Sequence, residues 1–126
     1  MIEYILDASA ILTVLQNEKG QENVAPILAT SAVSRVNVTE VLTKLLEKGT
    51  PLDEAQEIFD NLDLQIIEFD KHQSLKVAEL RPLTKHLGLS LGDRCCLALA
   101  MIKNLPAVTA DKDWAHLAFC RVEVIR

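Results

Sequence analysis

Short strand-like runs alternate with helix-forming segments along the chain, and this alternation constrains the fold more than any other feature. Residues 2–6 are β-branched and aromatic and stop at Asp7, which predicts a short strand. Residues 31–34, 64–69, 107–109 and 122–125 read as four more. Between them, residues 8–16, 21–28, 35–48, 51–61, 71–83, 91–102 and 111–118 read as helices. Gly20 and Gly49 end two of these, Pro51 opens another, and Pro82 perturbs the helix that contains it. Strands separated by helices predict an α/β domain whose short, mostly parallel sheet lies between helices. No repeat or linker interrupts the pattern, so a single domain over residues 1–126 is expected.

Composition closes several functional classes. With 49% hydrophobic and 25% charged residues, the chain has enough apolar surface for a core, which excludes disorder throughout. A net charge of -5 and only 4% aromatics argue against a broad basic surface and against base-stacking platforms. An acidic protein can still act on nucleic acid when bound divalent cations mediate the contact. The N-terminus lacks signal-peptide features and no apolar run reaches the ~20 residues of a membrane span, so a cytoplasmic protein without membrane contact is expected. Cys95, Cys96 and Cys120 are odd in number and include an adjacent pair, which predicts buried thiols and not disulfides. His72, His86 and His116 show no zinc-site spacing.

The acidic residues hold the candidate chemistry. Asp7 and Asp111 each follow a predicted strand, where ligands gather in open parallel sheets. Each also suits a helix N-cap, and Ser9 is a second candidate cap that would free Asp7. Asp93 opens a helix that is apolar on every face after Arg94, and so is expected to be buried. It fits a capping box with Ser90, or a carboxylate aimed into a cleft. In residues 35–48 the apolar stripe is Val38, Val41, Leu42, Leu45 and Leu46. Glu40 lies nearly opposite, beside Val36, Thr43 and Glu47, so periodicity reads it as solvated surface. Asp and Glu oxygens without His or Cys suit hard ions, Mg²⁺ or Mn²⁺. One or two such ions would activate water for phosphodiester cleavage. With 18 acidic residues, spacing alone does not select the set.

Four segments supply a further constraint: Ile5-Leu6-Asp7-Ala8-Ser9-Ala10, Asn37-Val38-Thr39-Glu40-Val41, Gly88-Leu89-Ser90-Leu91-Gly92-Asp93, and Val108-Thr109-Ala110-Asp111 with Trp114 three residues on. In order and spacing the chain resembles, over nearly its full length, the PIN-domain ribonucleases, specifically the VapC-type toxins of bacterial toxin–antitoxin pairs. The resemblance implies a three-layer α/β/α PIN domain over residues 1–126 and a Mg²⁺- or Mn²⁺-dependent endoribonuclease. The family's acidic positions fall on Asp7, Glu40, Asp93 and Asp111, and this promotes Glu40 against its periodicity. Ser9 and Thr109 match positions that support the carboxylates. Asn37 would sit beside the site, and Asp113 would be auxiliary. Water would attack phosphorus in line, leaving a 5′-phosphate and a 3′-hydroxyl. Arg35, Arg94 and Lys112 are candidate phosphate contacts. The implied partners are an RNA substrate (transfer RNA is a common one), a second copy in a homodimer, and a VapB-type antitoxin. Promoter DNA would be bound indirectly, through the antitoxin.

Two rival readings stand beside this one. Haloacid-dehalogenase-type phosphatases also place Asp after the first strand, but they carry a second Asp where this chain has Ser9. A non-catalytic PIN-like module for metal or partner binding is the other, against which all four acidic positions are retained.

Overall fold

The computed structural model describes residues 1–126. Its elements are β1 (Tyr4–Leu6), α1 (Ala8–Leu15), α2 (Gln21–Val24), β2 (Ser31–Ser34), α3 (Arg35–Glu47), α4 (Leu52–Asp60), β3 (Gln65–Ile67), α5 (Lys71–Thr84), α6 (Leu91–Lys103), β4 (Ala107–Thr109) and β5 (Val122–Val124). All five strands pair in parallel, in the order β3-β2-β1-β4-β5.

Successive strand residues point to opposite faces of the sheet. Ile5, Ala32 and Ala107 therefore share one core, with Val77 and Leu80 of α5, residues 95–100 of α6, and Trp114. Leu6, Val33 and Val108 share the other, with Ala10, Ile11, Val24, Val38, Val41, Leu45, Ala55 and Phe59 from α1 to α4. The fold is a three-layer α/β/α sandwich, as the sequence predicts. Its layers follow from chain direction. The steps β1→β2→β3 move one way across the sheet, and right-handed crossovers put α1–α4 on one face. The steps β3→β4→β5 move the other way, which puts α5, α6 and the Trp114 turn on the opposite face. The reversal falls between β1 and β4.

Several boundaries differ from expectation for local reasons. The helix expected over residues 21–28 stops at Val24, and Ala25–Thr30 is 3₁₀. Pro26 lacks the N–H that an α-helical ladder needs there. The helix expected over residues 111–118 is a 3₁₀ helix, Lys112–His116, capped by Asp111. Helix α5 passes through Pro82 to Thr84 before tightening into the 3₁₀ turn Lys85–Leu87. Helix α6 is buried at Cys95, Cys96 and on to Ala100, as its uniformly apolar sequence requires, and all three cysteines are free thiols.

Candidate active site

Asp7 and Asp111 stand at the carboxyl ends of β1 and β4, beside the reversal of strand order. The Asp7 N–H donates to Val108 O at 3.0 Å, stitching the two strands together at that point. The Asp7 carboxylate caps α1, with Oδ1 accepting from Ala10 N at 2.8 Å. Ser9 Oγ donates to Oδ1 at 2.7 Å, and Thr109 Oγ1 donates to Oδ2 at 2.6 Å. The residue is only 4% exposed. Burial lifts its pKa from 3.8 to about 6, and the charge of Asp93 adds to the rise. The bonds from Thr109, Ala10 and Ser9 oppose it.

Ser9 is therefore not the cap, which corrects the alternative that would have freed Asp7. Its hydroxyl donates to Asp7 and accepts from Ala110 N at 3.0 Å. Thr109 Oγ1 does the equivalent, accepting from Asp111 N at 3.0 Å. The two hydroxyl oxygens lie 3.3 Å apart with both protons directed at Asp7, so they touch without bonding to each other. Asp111 Oδ1 accepts from Asp113 N at 2.9 Å and caps the 3₁₀ turn. Asp113 and Lys112 are exposed.

Glu40 is where periodicity fails. It is partly buried, and Asn37 Nδ2 donates to its Oε1 at 2.7 Å. The same Nδ2 donates to Gly92 O, in the first turn of α6, at 3.0 Å. The first turns of this flank of α3, at Val36, Asn37 and Glu40, thus lie against another helix, while Thr43 and Glu47 further along it are exposed. Gly92 makes the approach possible, because a Cβ there would collide with the Glu40 carboxylate. Burial raises the Glu40 pKa, the Asn37 bond opposes this, and the Asp93 charge raises it further.

Gly92 is the site residue that sequence reasoning passed over. A glycine within a helix costs roughly 0.5–1 kcal/mol relative to alanine, so its place in α6 is itself a signal. Asp93 forms the capping box that its spacing from Ser90 predicts. Its Oδ2 accepts from Ser90 N at 2.9 Å while Ser90 Oγ accepts from Asp93 N at 3.2 Å, a complete capping box. Its charge also bears on both Asp7 and Glu40. No three His, Cys, Asp or Glu side chains converge closely enough to enclose a metal ion by themselves.

This topology and residue set can be compared with known proteins. The sequence model of the PIN domain matches residues 4–119. The chain belongs to the PIN domain family. No curated protein matches it at a significant level. Among solved structures, this PIN domain is similar to VapBC2 from Rickettsia felis bound to a DNA fragment from its promoter, with 20% identity, 98% of each chain covered and a TM-score of 0.76. It is similar to DNA-bound VapBC from Salmonella typhimurium, with 16% identity, 100% of each chain covered and a TM-score of 0.78. A toxin–antitoxin complex from Klebsiella pneumoniae matches at 19% identity, 98% coverage of each chain and a TM-score of 0.77. At these identities the likeness shows a shared fold. PIN membership sets aside the phosphatase reading of Asp7.

Two of the three basic candidates in this PIN domain have other partners. Arg35 forks onto Glu68, with Nε 3.0 Å from Oε1 and Nη2 2.6 Å from Oε2. Arg94 Nη1 donates to Val77 O of α5 at 3.0 Å, and its buried Nε has no partner. Arg94 thus binds helix to helix and pairs with no carboxylate. Lys112 alone is exposed and unpaired beside the acidic residues.

Proposed function

We propose that this PIN domain is a VapC-type toxin, a Mg²⁺- or Mn²⁺-dependent endoribonuclease. The observation that carries the reading is Asp7. It is a buried carboxylate at the strand-order reversal, held by hydroxyls from both flanking elements and acted on by the charge of Asp93. Capping α1 needs only one carboxylate oxygen at a helix end, whereas burying the whole charged group without a cation is costly, and this supports a role beyond the cap.

Three features support an ion of this kind. The donors are oxygens only. Burial, with a smaller addition from the charge of Asp93, raises the proton affinity of both Asp7 and Glu40, as for carboxylates lacking a counter-charge. Asn37 Oδ1 is buried beside Glu40 with no partner. Mg²⁺ keeps several of its waters and needs only one or two carboxylates directly, so the absence of a closed three-carboxylate cage is compatible with it. Asp7, Glu40 and Asp93 would hold the ion, directly or through water, and Asp111 would complete the site or hold a second. When bound, the ion supplies the positive charge an acidic chain lacks and increases the acidity of water used as nucleophile.

The protein's own side chains do the positioning. Ser9 and Thr109 fix both oxygens of Asp7, and Asn37 fixes Glu40. The Ser90–Asp93 capping box fixes the start of α6. Lys112, exposed next to Asp111, would meet an RNA phosphate. Hydrolysis joins the water oxygen to phosphorus as the bond to the 3′ oxygen breaks. The products are a 5′-phosphate and a 3′-hydroxyl.

The partners follow from the same reading. Toxin–antitoxin complexes among the structural relatives, two of them DNA-bound, support a VapB-type antitoxin as inhibitor and indirect promoter binding through it. Leu75, Leu83 and Leu91, each more than half exposed, support an apolar contact such as a homodimer would provide. No helix is long and apolar enough to cross a membrane, which accords with action in the cytoplasm.

The decisive experiment is cleavage of end-labelled small RNA, transfer RNA included, with Mg²⁺, Mn²⁺ or chelator, using wild type, Asp7→Asn and Asp93→Asn. Discrete, metal-dependent cuts lost in both variants are expected. A folded, metal-loaded, antitoxin-free protein that cuts none of a varied RNA set would return the reading to a non-catalytic binding module.

A further inference from the structure

Asn37 is 1% exposed, in the first turn of α3 on the side that meets α6. Both protons of its Nδ2 are engaged, one by Glu40 Oε1 and one by the backbone oxygen of Gly92. The carbonyl of Gly92 can only accept, so it fixes which end of the amide faces it. Turning the amide over would set oxygen against oxygen at both contacts. The orientation that results leaves Oδ1 buried without a donor. A buried acceptor in that state weakens folding, so the asparagine is held here by what its two donors reach and not by its oxygen. Packing alone therefore does not explain an asparagine here.

The two engaged protons do explain it. One holds a carboxylate of α3. The other holds the turn of α6 that carries Asp93, the residue after Gly92. Gly92 has no side chain to keep Glu40 away, so the carboxylate rests directly on that turn. We infer that Asn37 is a positioning residue for the ion site: one amide group bridging α3 and α6 sets the separation and orientation of Glu40 relative to Asp93. The inference rests on the metal-dependent reading given above. Asn37 itself need not touch the ion or the RNA.

The test is Mn²⁺ affinity, followed by electron paramagnetic resonance on the full chain, for wild type, Asn37→Leu, Glu40→Gln and the double variant. Thermal unfolding is recorded for each. Asn37→Leu is expected to weaken Mn²⁺ binding roughly 10–100-fold, the usual effect of losing a partner that orients a ligand, in a protein that its thermal transition shows to be folded. In the Glu40→Gln background the same substitution is expected to cost little more, because the positioned group is already gone. Asn37→Ala replaces Asn37→Leu if the larger side chain does not fold, and is read in the same way. Unchanged Mn²⁺ affinity in the Asn37 variants, or an equal loss with and without the Glu40 carboxylate, overturns the positioning role alone. A wild-type chain that binds no Mn²⁺ overturns the metal-dependent reading, and this inference with it.

Discussion

Thr109 Oγ1 stands 2.6 Å from Asp7 Oδ2 and accepts the Asp111 N–H at 3.0 Å, so one hydroxyl at the end of β4 joins two acidic residues a hundred positions apart in the chain. The bond gives the Asp7 carboxylate a donor that burial would otherwise remove, and it aligns the start of the Asp111 turn. Removing it leaves a buried carboxylate oxygen and a backbone N–H both short of a partner. Thr109→Val keeps the shape and deletes the hydroxyl. It is expected to cost about 1–3 kcal/mol by urea unfolding at pH 7.5 and to cut RNA cleavage roughly 10–100-fold. Thr109→Ser, which restores the hydroxyl, should stay near wild type in both.

Asp7 makes the ion-free protein sensitive to pH. Its folded pKa of about 6 lies above the ordinary 3.8, so the folded state binds this proton more tightly than the unfolded chain. The contribution to stability is fully present below about pH 4 and is lost as pH rises through about 6. By linkage the loss is about 3 kcal/mol. Asp7→Asn removes the charge and should be the more stable protein at pH 7.5 in chelator, by about 1–3 kcal/mol, with the advantage gone near pH 4. Denaturant curves at the two pH values check this. An Asp7→Asn protein that is less stable than wild type at pH 7.5 would contradict it.

Cation binding should cancel that penalty. Mn²⁺ or Mg²⁺ is expected to raise the Tm of wild type at pH 7.5 and chelator to reverse the rise. At a hundredfold excess over Kd the stabilisation is about 2.7 kcal/mol. Asp7→Asn and Asp93→Asn should show little of it. Calorimetric scans with and without the ion give the answer, and an equal rise in both variants would place the ion elsewhere.

Gly92→Ala separates stability from activity. Alanine favours a helix over glycine by roughly 0.5–1 kcal/mol, but its Cβ collides with the Glu40 carboxylate. Glu40 must move, and a misplaced carboxylate at a reacting centre costs on the order of 100-fold in rate. The expected outcome is a Tm close to wild type with cleavage reduced by about that factor. Full activity would show that Glu40 does not need its present position.

The basic residues should divide by what they already bind. Arg35 is held by Glu68 and Arg94 by the backbone of α5, whereas Lys112 has no partner. Lys112→Ala should raise KM for RNA with kcat little changed, and Arg35→Ala should leave both nearly unaltered. Arg94→Ala should act on folding first, because it frees Val77 O at the α5–α6 contact. Steady-state kinetics beside unfolding curves distinguish these effects.

The sequence by itself determined the parts of this protein that depend on neighbours along the chain. Strand and helix periods gave the α/β order, and an apolar α6 required burial on all sides. Asp7 and Asp111 were legible as carboxylates at strand ends, and the Ser90–Asp93 capping box as a spacing of three. Where local chemistry was read too generously, as over residues 21–28, a proline without an N–H explains the difference.

The tertiary structure decided the rest. Periodicity reports only where a side chain sits around its own helix, so it put Glu40 in water. The docking of α6 there, through Asn37 and Gly92 fifty-five residues apart, partly buries it against the turn that carries Asp93. Family resemblance had pointed to Glu40, but not to the contact that holds it. In the same way the sequence shows Arg35 and Arg94 only as positive charges, and the partners that hold them, 33 and 17 residues away, appear in the tertiary structure. A carboxylate's role or a cation's freedom depends on which groups surround it in space, and those surroundings exist only once the layers have packed.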